Sequence, residues 1–391
     1  MFVSIRSRGR VVRRRAGTLL LVAQLLSLLS ACDDERGHAT AERGSSGTQS
    51  FIVETTPLVD VEGTSVGGDF VLGYPSGAAR LSTGTVVVAD GIGSSVLFFD
   101  GSGRPSRAVG REGTGPGEFQ RIVWLGQCGF DSVYAWDDMQ RRMTVIDRDG
   151  NVVRQYRLPS DPGKAISPAI IRCSRSGRFA VLARPRDLRP PTPDGDSPHY
   201  SADLVIANRV GMVTSVIGEF PVGQSRPLGK VTVLAISDDQ FYVGTNDSAY
   251  IDVYAIDGTY ANSIPIGVTR RVPGRIHYEH VVDAQVQWLS DADQRQAMRE
   301  VLLNIPMPEL LPAYAGIFLD GEDRLWVQVS IPGDGETRLR GFSTDGSTIG
   351  ELRIPIDLRI FEVGIDYVLG GFDGDLGEPH VVAYRFSQML N

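Results

Sequence analysis

Short apolar runs recur along this chain, and polar, glycine-containing turns separate them. GTVVVAD (84–90), DSVYAWD (131–137), GRFAVLA (177–183), DQFYVGT (239–245), DRLWVQV (323–329) and IDYVLGG (365–371) share one composition. Each is rich in β-branched and aromatic residues and follows turn chemistry, which is the signature of a strand. Anchored on Val86, Val133, Phe179, Phe241, Leu325 and Tyr367, the runs are spaced by 47, 46, 62, 84 and 42 residues. A second run follows most of them: VLFFD (96–100), MTVID (143–147), LVIAN (204–208), VYAID (253–257), LRGFS (339–343) and VVAYRF (381–386). A tight turn comes next. Asp100 to Gly103, Asp147 to Gly150, Asn208 to Gly211 and Ser343 to Gly346 place a short polar side chain first and glycine fourth. The first caps the turn, and the glycine takes the dihedral that ends it.

A further run follows the turn, as in VVRQYRLP (152–159), and another precedes each anchor, as in IVWLGQ (122–127), AIIRC (169–173), VTVLAIS (231–237) and GIFLD (316–320). Each unit therefore holds four antiparallel strands, and six units follow one another. One such sheet leaves both faces open. Six arranged radially bury them against one another. The expected fold is all-β, a six-bladed β-propeller of four-stranded antiparallel blades. The sixth unit lacks a last strand, and FIVETTPLVD (51–60) precedes the first unit as an orphan strand. Pairing it with the C-terminal strands closes the ring and removes two open edges.

The stretch GREGTGPGEF (110–119) falls between the last strand of unit 1 and the first of unit 2. It lacks the Gly-Lys-Ser/Thr of a phosphate-binding loop, and no helix follows it. Its glycines suit a sharp passage between blades, with Phe119 wedged between them. It resembles the interblade turn of NHL-type repeats, which often ends Gly-Pro-Gly-Glu/Gln-Phe. Asp320-Gly-Glu-Asp-Arg-Leu-Trp-Val327 looks like the hairpin of that family. The segment 374–386 is similar to the closing segment of six-bladed bacterial lipoproteins. The resemblance covers most of 51–388 and implies a propeller without naming an activity.

Turn lengths divide the disc into two faces. The turns joining first to second strands are short, as are those joining third to fourth, and both kinds lie on one face. The long insertions fall on the other: 184–201, 270–313, 331–337 and 371–380. Loops on a rigid scaffold carry function, so the sequence reading places a site on this loop-rich face, over the channel mouth. The insertion between blades 4 and 5 (270–313) is expected to hold a helix. Ser290 would be its N-cap, with Asp293 three residues on. Ala292, Gln296, Met298, Val301 and Leu302 would form a partly apolar face. Such a helix would lie across the disc as a lid.

The N-terminus is a different object. Residues 1–15 carry six arginines and no acid, and TLLLVAQLLSLLS follows. A basic head, a short apolar centre and a small-residue cleavage site describe an export signal. Leu29-Ser30-Ala31-Cys32 resembles a lipoprotein box, which makes residues 1–31 a signal peptide and Cys32 the lipidated first residue. Residues 32–50 read as a flexible tether, and 51–391 as the propeller. Without 1–31 the chain has 33 basic and 47 acidic residues, a net charge of −14. That balance argues against nucleic acid and against charge-driven adhesion to a membrane. The expected address is the bacterial cell envelope, outside the cytoplasm, with the membrane contacted through the lipid only. The expected partner is an envelope protein or a small-molecule ligand, and the expected state a monomer.

Little else in the sequence points to chemistry. The histidines are His38, His199, His277, His280 and His380, and neither a zinc-protease helix nor a nucleophile elbow accompanies them. His277 and His280 stand at helical spacing but lack further nearby metal ligands. The second strands end at or near Asp90, Asp137, Arg184, Asn246 and Gln328, and His380 lies in a loop-face extension. These are the candidate ligand-binding residues. Asp90, Asp137 and Asn246 could hold calcium, or all could simply bind neighbouring turns. Cys128 and Cys173 end the innermost strands of adjacent units, so a disulfide or two buried thiols are both possible. Two functions remain open. One is non-catalytic binding through the loop-rich face. The other is a metal-assisted hydrolase or lyase at the channel mouth.

Overall fold

The computed structural model describes residues 49–63, 70–129, 131–158, 167–184, 200–223 and 226–388. The signal segment, Cys32, His38 and His199 lie outside them, as does most of the 184–201 insertion.

Two N-terminal strands, β1 (Gln49–Val53) and β2 (Val59–Glu62), precede the blades. Blade 1 is β3 (Pro75–Arg80), β4 (Val86–Asp90), β5 (Ser95–Phe99) and β6 (Pro105–Val109). Blade 2 is β7 (Ile122–Gln127), β8 (Val133–Asp137), β9 (Arg142–Ile146) and β10 (Val152–Tyr156). Blade 3 is β11 (Ser167–Cys173), β12 (Phe179–Arg184), β13 (Tyr200–Ala207) and β14 (Val213–Gly223). Blade 4 is β15 (Thr232–Ile236), β16 (Gln240–Thr245), β17 (Tyr250–Ala255) and β18 (Tyr260–Pro265). Two helices follow, α1 (Arg275–Val286) and α2 (Ala292–Leu303). Blade 5 is β19 (Gly316–Leu319), β20 (Leu325–Gln328), β21 (Thr337–Phe342) and β22 (Thr348–Ile354). Blade 6 supplies β23 (Arg359–Val363), β24 (Tyr367–Asp373) and β25 (Pro379–Gln388).

Within each blade the strands pair antiparallel in chain order. The innermost strands touch in a closed cycle, β3 to β7, β11, β15, β19, β23 and back to β3. The alternating pattern of each strand explains the packing. Six apolar clusters lie one between each pair of neighbouring blades. The cluster between blades 1 and 2 holds Val87, Phe98, Phe119, Ile122 and Ile146, all essentially solvent-free. Phe119 therefore does wedge between blades. The same arrangement recurs between blades 6 and 1 through Val61, Phe99, Leu369 and Val381.

The N-terminal strands complete blade 6. β2 pairs antiparallel with β25, Val61 opposite Val381. β1 pairs antiparallel with the end of β25, Phe51 opposite Gln388, and in parallel with β22, Gln49 opposite Gly350. The orphan strand is thus two strands, broken between Val53 and Val59, and it starts two residues inside the stretch read as tether. First and last segments share one blade, so the ring has no free edge there.

The turn chemistry also holds. Asp147 Oδ1 accepts the amides of Asp149 (3.0 Å) and Asn151 (2.8 Å), and Gly150 takes φ +79°. Asn208 and Gly211, with φ +84°, repeat the pattern. In the 110–119 passage, Glu118 accepts the Gly115 amide at 2.8 Å and Arg111 at 2.9 Å. That loop folds around its own carboxylate.

Candidate functional site: a central well

First strands run from the loop-rich face toward the short turns, so their side chains line the axis. A cavity of about 890 Å³ occupies this channel. Its walls are the six inner strands and the turns that follow them, together with Tyr367 at the start of β24. No residue of the helical insertion lines it. The cavity opens among the short turns, on the face opposite the long insertions.

The loop-rich face is covered instead. Tyr278 and Val282 of α1 are buried with Leu228, Leu311 and Ile331. His277 Nε2 lies 3.1 Å from Asp334 Oδ1, and Arg271 donates to the same carboxylate at 2.7 Å. Trp288 lies under Arg121 of blade 2, 5.5 Å from guanidinium to ring, and Gln287 donates to Asp373 at the end of β24. The insertion therefore reaches blades 2, 4, 5 and 6 on this side. It holds two helices, not one. The capping residue of α2 is Asp291, which accepts the Gln294 amide at 2.8 Å, and not Ser290. The spacing of His277 and His280 reflects α1.

The second-strand residues named from sequence stand outside the cavity. Asp90, 1% exposed, accepts the amides of Gly73 (2.9 Å), Tyr74 (3.0 Å), Ile92 (3.1 Å) and Gly93 (3.0 Å). Asp137 accepts the Gln120 amide at 2.6 Å and both amides of Gln140 at 3.0 Å. Asn246 accepts the Val231 amide at 2.8 Å. Gln328 donates to the Leu358 carbonyl at 3.4 Å. Each ties a second strand to the chain leading into a first strand. Arg184 ends β12. His380 lies within β25 and not in a loop, stacked on Phe372 and 3.1 Å from Asp60. The structure does not bring these six residues together. Among the described residues, no three His, Cys, Asp or Glu are grouped to hold a metal ion.

Cys128 and Cys173 are joined, with Sγ–Sγ 2.02 Å and Cα–Cα 5.6 Å. The bond links blades 2 and 3 at the well, and Cys173 is part of its wall.

Inside the well the chemistry is cationic and aromatic. Arg80 stacks on Tyr367 at 4.9 Å, and Arg359 lies over Tyr74 at 4.9 Å and Phe361 at 5.3 Å. Arg359 also donates to the Pro75 carbonyl at 2.7 Å. Arg172 donates to its neighbour, the Ile171 carbonyl, at 2.8 Å. Burial alone lowers the Arg172 guanidinium to about 10. Water reaches part of that side chain along the channel, while protein surrounds the rest. Glu362 is the inner carboxylate, accepting the Arg80 amide at 3.0 Å and the Tyr367 hydroxyl. Burial raises Glu362 above its ordinary value, against the pull of Tyr367 and Arg80. Trp124 lies flat along the wall over Gly126, where a Cβ would meet its ring at 2.6 Å. Glycine at that position leaves room for the indole in the cavity wall.

The mouth is acidic, but its carboxylates are engaged. Asp131 accepts the Ser82 amide at 2.9 Å and its hydroxyl at 2.5 Å, joining blades 1 and 2. Asp238 accepts the Ser176 amide at 2.9 Å, joining blades 3 and 4. Arg175 spans to blade 5, donating to the Asp320 carbonyl at 3.0 Å and lying 3.9 Å from Asp323. The sequence does carry a signal for the well. Arg80 ends β3, Arg172 lies inside β11 and Arg359 begins β23, each next to apolar positions of a first strand.

The same ring occurs in solved structures. A member of the DUF4221 family from Bacteroides vulgatus superposes with TM-score 0.52 at 10% identity, over 88% of this chain and all of that one. A protein of Bacteroides fragilis described as exported gives 0.47 at 13% identity, over 87% of this chain and 96% of that one. Virginiamycin B lyase from Staphylococcus aureus gives 0.41 at 11% identity, over 85% and 99%. At such identities the likeness speaks to the fold alone. No protein-family model and no curated protein matches the chain.

Proposed function

We propose that this chain is a non-catalytic ligand-binding propeller, tethered outside the cytoplasm by a lipid on Cys32, with the central well as its binding site. The cavity carries this reading. About 890 Å³ is the volume of a small-molecule site, and its wall combines apolar and aromatic surface with arginines inside and carboxylates at the mouth. The helical insertion packs on the loop-rich face, away from the cavity lining. This moves the site from the loop-rich face expected on loop length to the short-turn face. The Cys128–Cys173 disulfide favours an oxidising compartment and agrees with export through residues 1–31 and an NHL-type lipoprotein relationship.

Native mass spectrometry against a fragment library tests the site. The expected result is one-to-one binding that is lost in Ser76→Trp, which fills the well. Equal binding by the filled variant would return the site to the loop-rich face. For the anchor, Cys32→Ala should move the protein from the membrane to the soluble fraction. Retention in the membrane would refute the lipid attachment.

A further inference from the structure

The cavity is lined by four arginines, Arg80, Arg172, Arg175 and Arg359, and by six carboxylates, of which all but Glu362 (Asp131, Asp238, Asp320, Asp323 and Asp366) lie on the turns at its mouth or just beyond. Arg80 faces Glu362, and Arg359 is held by the Pro75 carbonyl and two rings. Arg172 has neither arrangement. Among the described residues, no carboxylate lies within ion-pairing distance of it, and its one hydrogen bond goes to the carbonyl of the adjacent residue. The Nε atoms of Arg80 and Arg359 are buried without a partner, and the half-buried Arg172 side chain lines the same cavity. Guanidinium N–H groups left without acceptors in a confined space are costly. An anion supplies what they lack, and the planar fork of arginine suits the paired oxygens of a carboxylate or phosphate.

The mouth carboxylates do not fill this role. Asp131 and Asp238 are committed to serines of the preceding blades. Asp320 is committed to Arg324 and Trp326. Aromatic rings line the same cavity, Trp124, Phe318 and Phe361, among serines and Gln127. Cation and aromatic surface therefore face one cavity from different blades.

We infer that the well binds a small organic anion, a carboxylate or phosphoester on a flat apolar body, with Arg172 receiving the anionic group and the aromatic wall receiving the body. This rests on the well being the binding site. It goes further by naming the chemical class and the residue that selects it.

Isothermal titration of the intact protein with phenyl phosphate, benzoate and their neutral isostere benzyl alcohol tests the inference without any variant. The two anions should bind at least about tenfold tighter than benzyl alcohol, the worth of one charge-assisted contact. Arg172→Gln should remove that preference and leave benzyl alcohol binding unchanged. Arg172→Lys, which keeps the charge but not the fork, should retain part of it. Arg172→Met should raise the melting temperature of the ligand-free protein, because an unmatched charge is replaced by an apolar side chain. If anions and benzyl alcohol bind equally, or if Arg172→Gln keeps the anion preference, the anion assignment is wrong while the well remains a binding site. If nothing binds in the well, both readings fall. Should Arg172→Gln fail to fold, the wild-type comparison still decides.

Discussion

The two faces of the disc divide labour in an unexpected way. The loop-rich face received the extra chain, yet α1 packs down against the blades and no residue of the insertion lines the cavity. Tyr278 and Val282 are as buried there as a blade core. The short-turn face received almost nothing, yet the cavity opens through it. Insertion length measures how much chain a face carries. It does not measure what the chain leaves open. The same contrast appears in the charged residues. Asp90 and Asp137 at the loop-rich end of the second strands spend their oxygens on backbone amides. Arg172 in the channel has a single carbonyl acceptor. Asp90 and Asp137 hold the scaffold, whereas Arg172 has no carboxylate partner among the described residues.

Substitutions on the two sides should separate along this line. The largest effect is expected from Asp90→Ala, which strands four amides and should cost about 3 kcal/mol of stability without changing phenyl phosphate affinity. Chemical denaturation and titration of the same variant check both halves. An affinity loss with stability intact would return Asp90 to a binding role. Val282→Ala removes two buried methyl groups from α1 in the lid and should cost about 2 kcal/mol. Binding in the well should again be unaffected, and a tenfold loss would show that the lid shapes the site. The smallest effect concerns pH. Glu362 has a raised folded-state value, with burial as the main cause. Between its unfolded value and that raised value the folded protein holds more protons, so stability should fall as pH rises through this window. Glu362→Gln should flatten that slope, as thermal melts across pH would show. A slope that persists in the variant would place its origin elsewhere.

How much of this could be read from sequence depends on the element. Strand alternation and the Asp/Asn-x-x-Gly turns are local, and they specified six four-stranded units correctly. Closure was legible because a missing strand at one end matched an orphan at the other. The disulfide was legible as one of two outcomes, since both cysteines end inner strands. What resisted was orientation. His277 and His280 looked like a possible ligand pair because the helix carrying them, α1, is only weakly amphipathic, with three buried residues among twelve. The N-cap of α2 was misplaced by one residue, since Ser290 and Asp291 are both good caps. The second-strand carboxylates looked like ligands because part of what they hold, the amides of Gly73, Tyr74 and Gln120, comes from loops more than a dozen residues away in sequence. Arg80, Arg172 and Arg359 were overlooked for a related reason. An arginine in a strand reads as an edge or surface residue until the ring places that strand on the axis.

Intrinsic fluorescence compares the two faces most directly. Trp124 lines the well and Trp288 sits on the lid, while Trp136 and Trp326 are buried in the blades. On titration with phenyl phosphate, Trp288→Phe should keep the emission change of the native protein, and Trp124→Phe should lose it. A change that vanishes with Trp288, or survives without Trp124, would place the ligand on the loop-rich face and contradict a functional well.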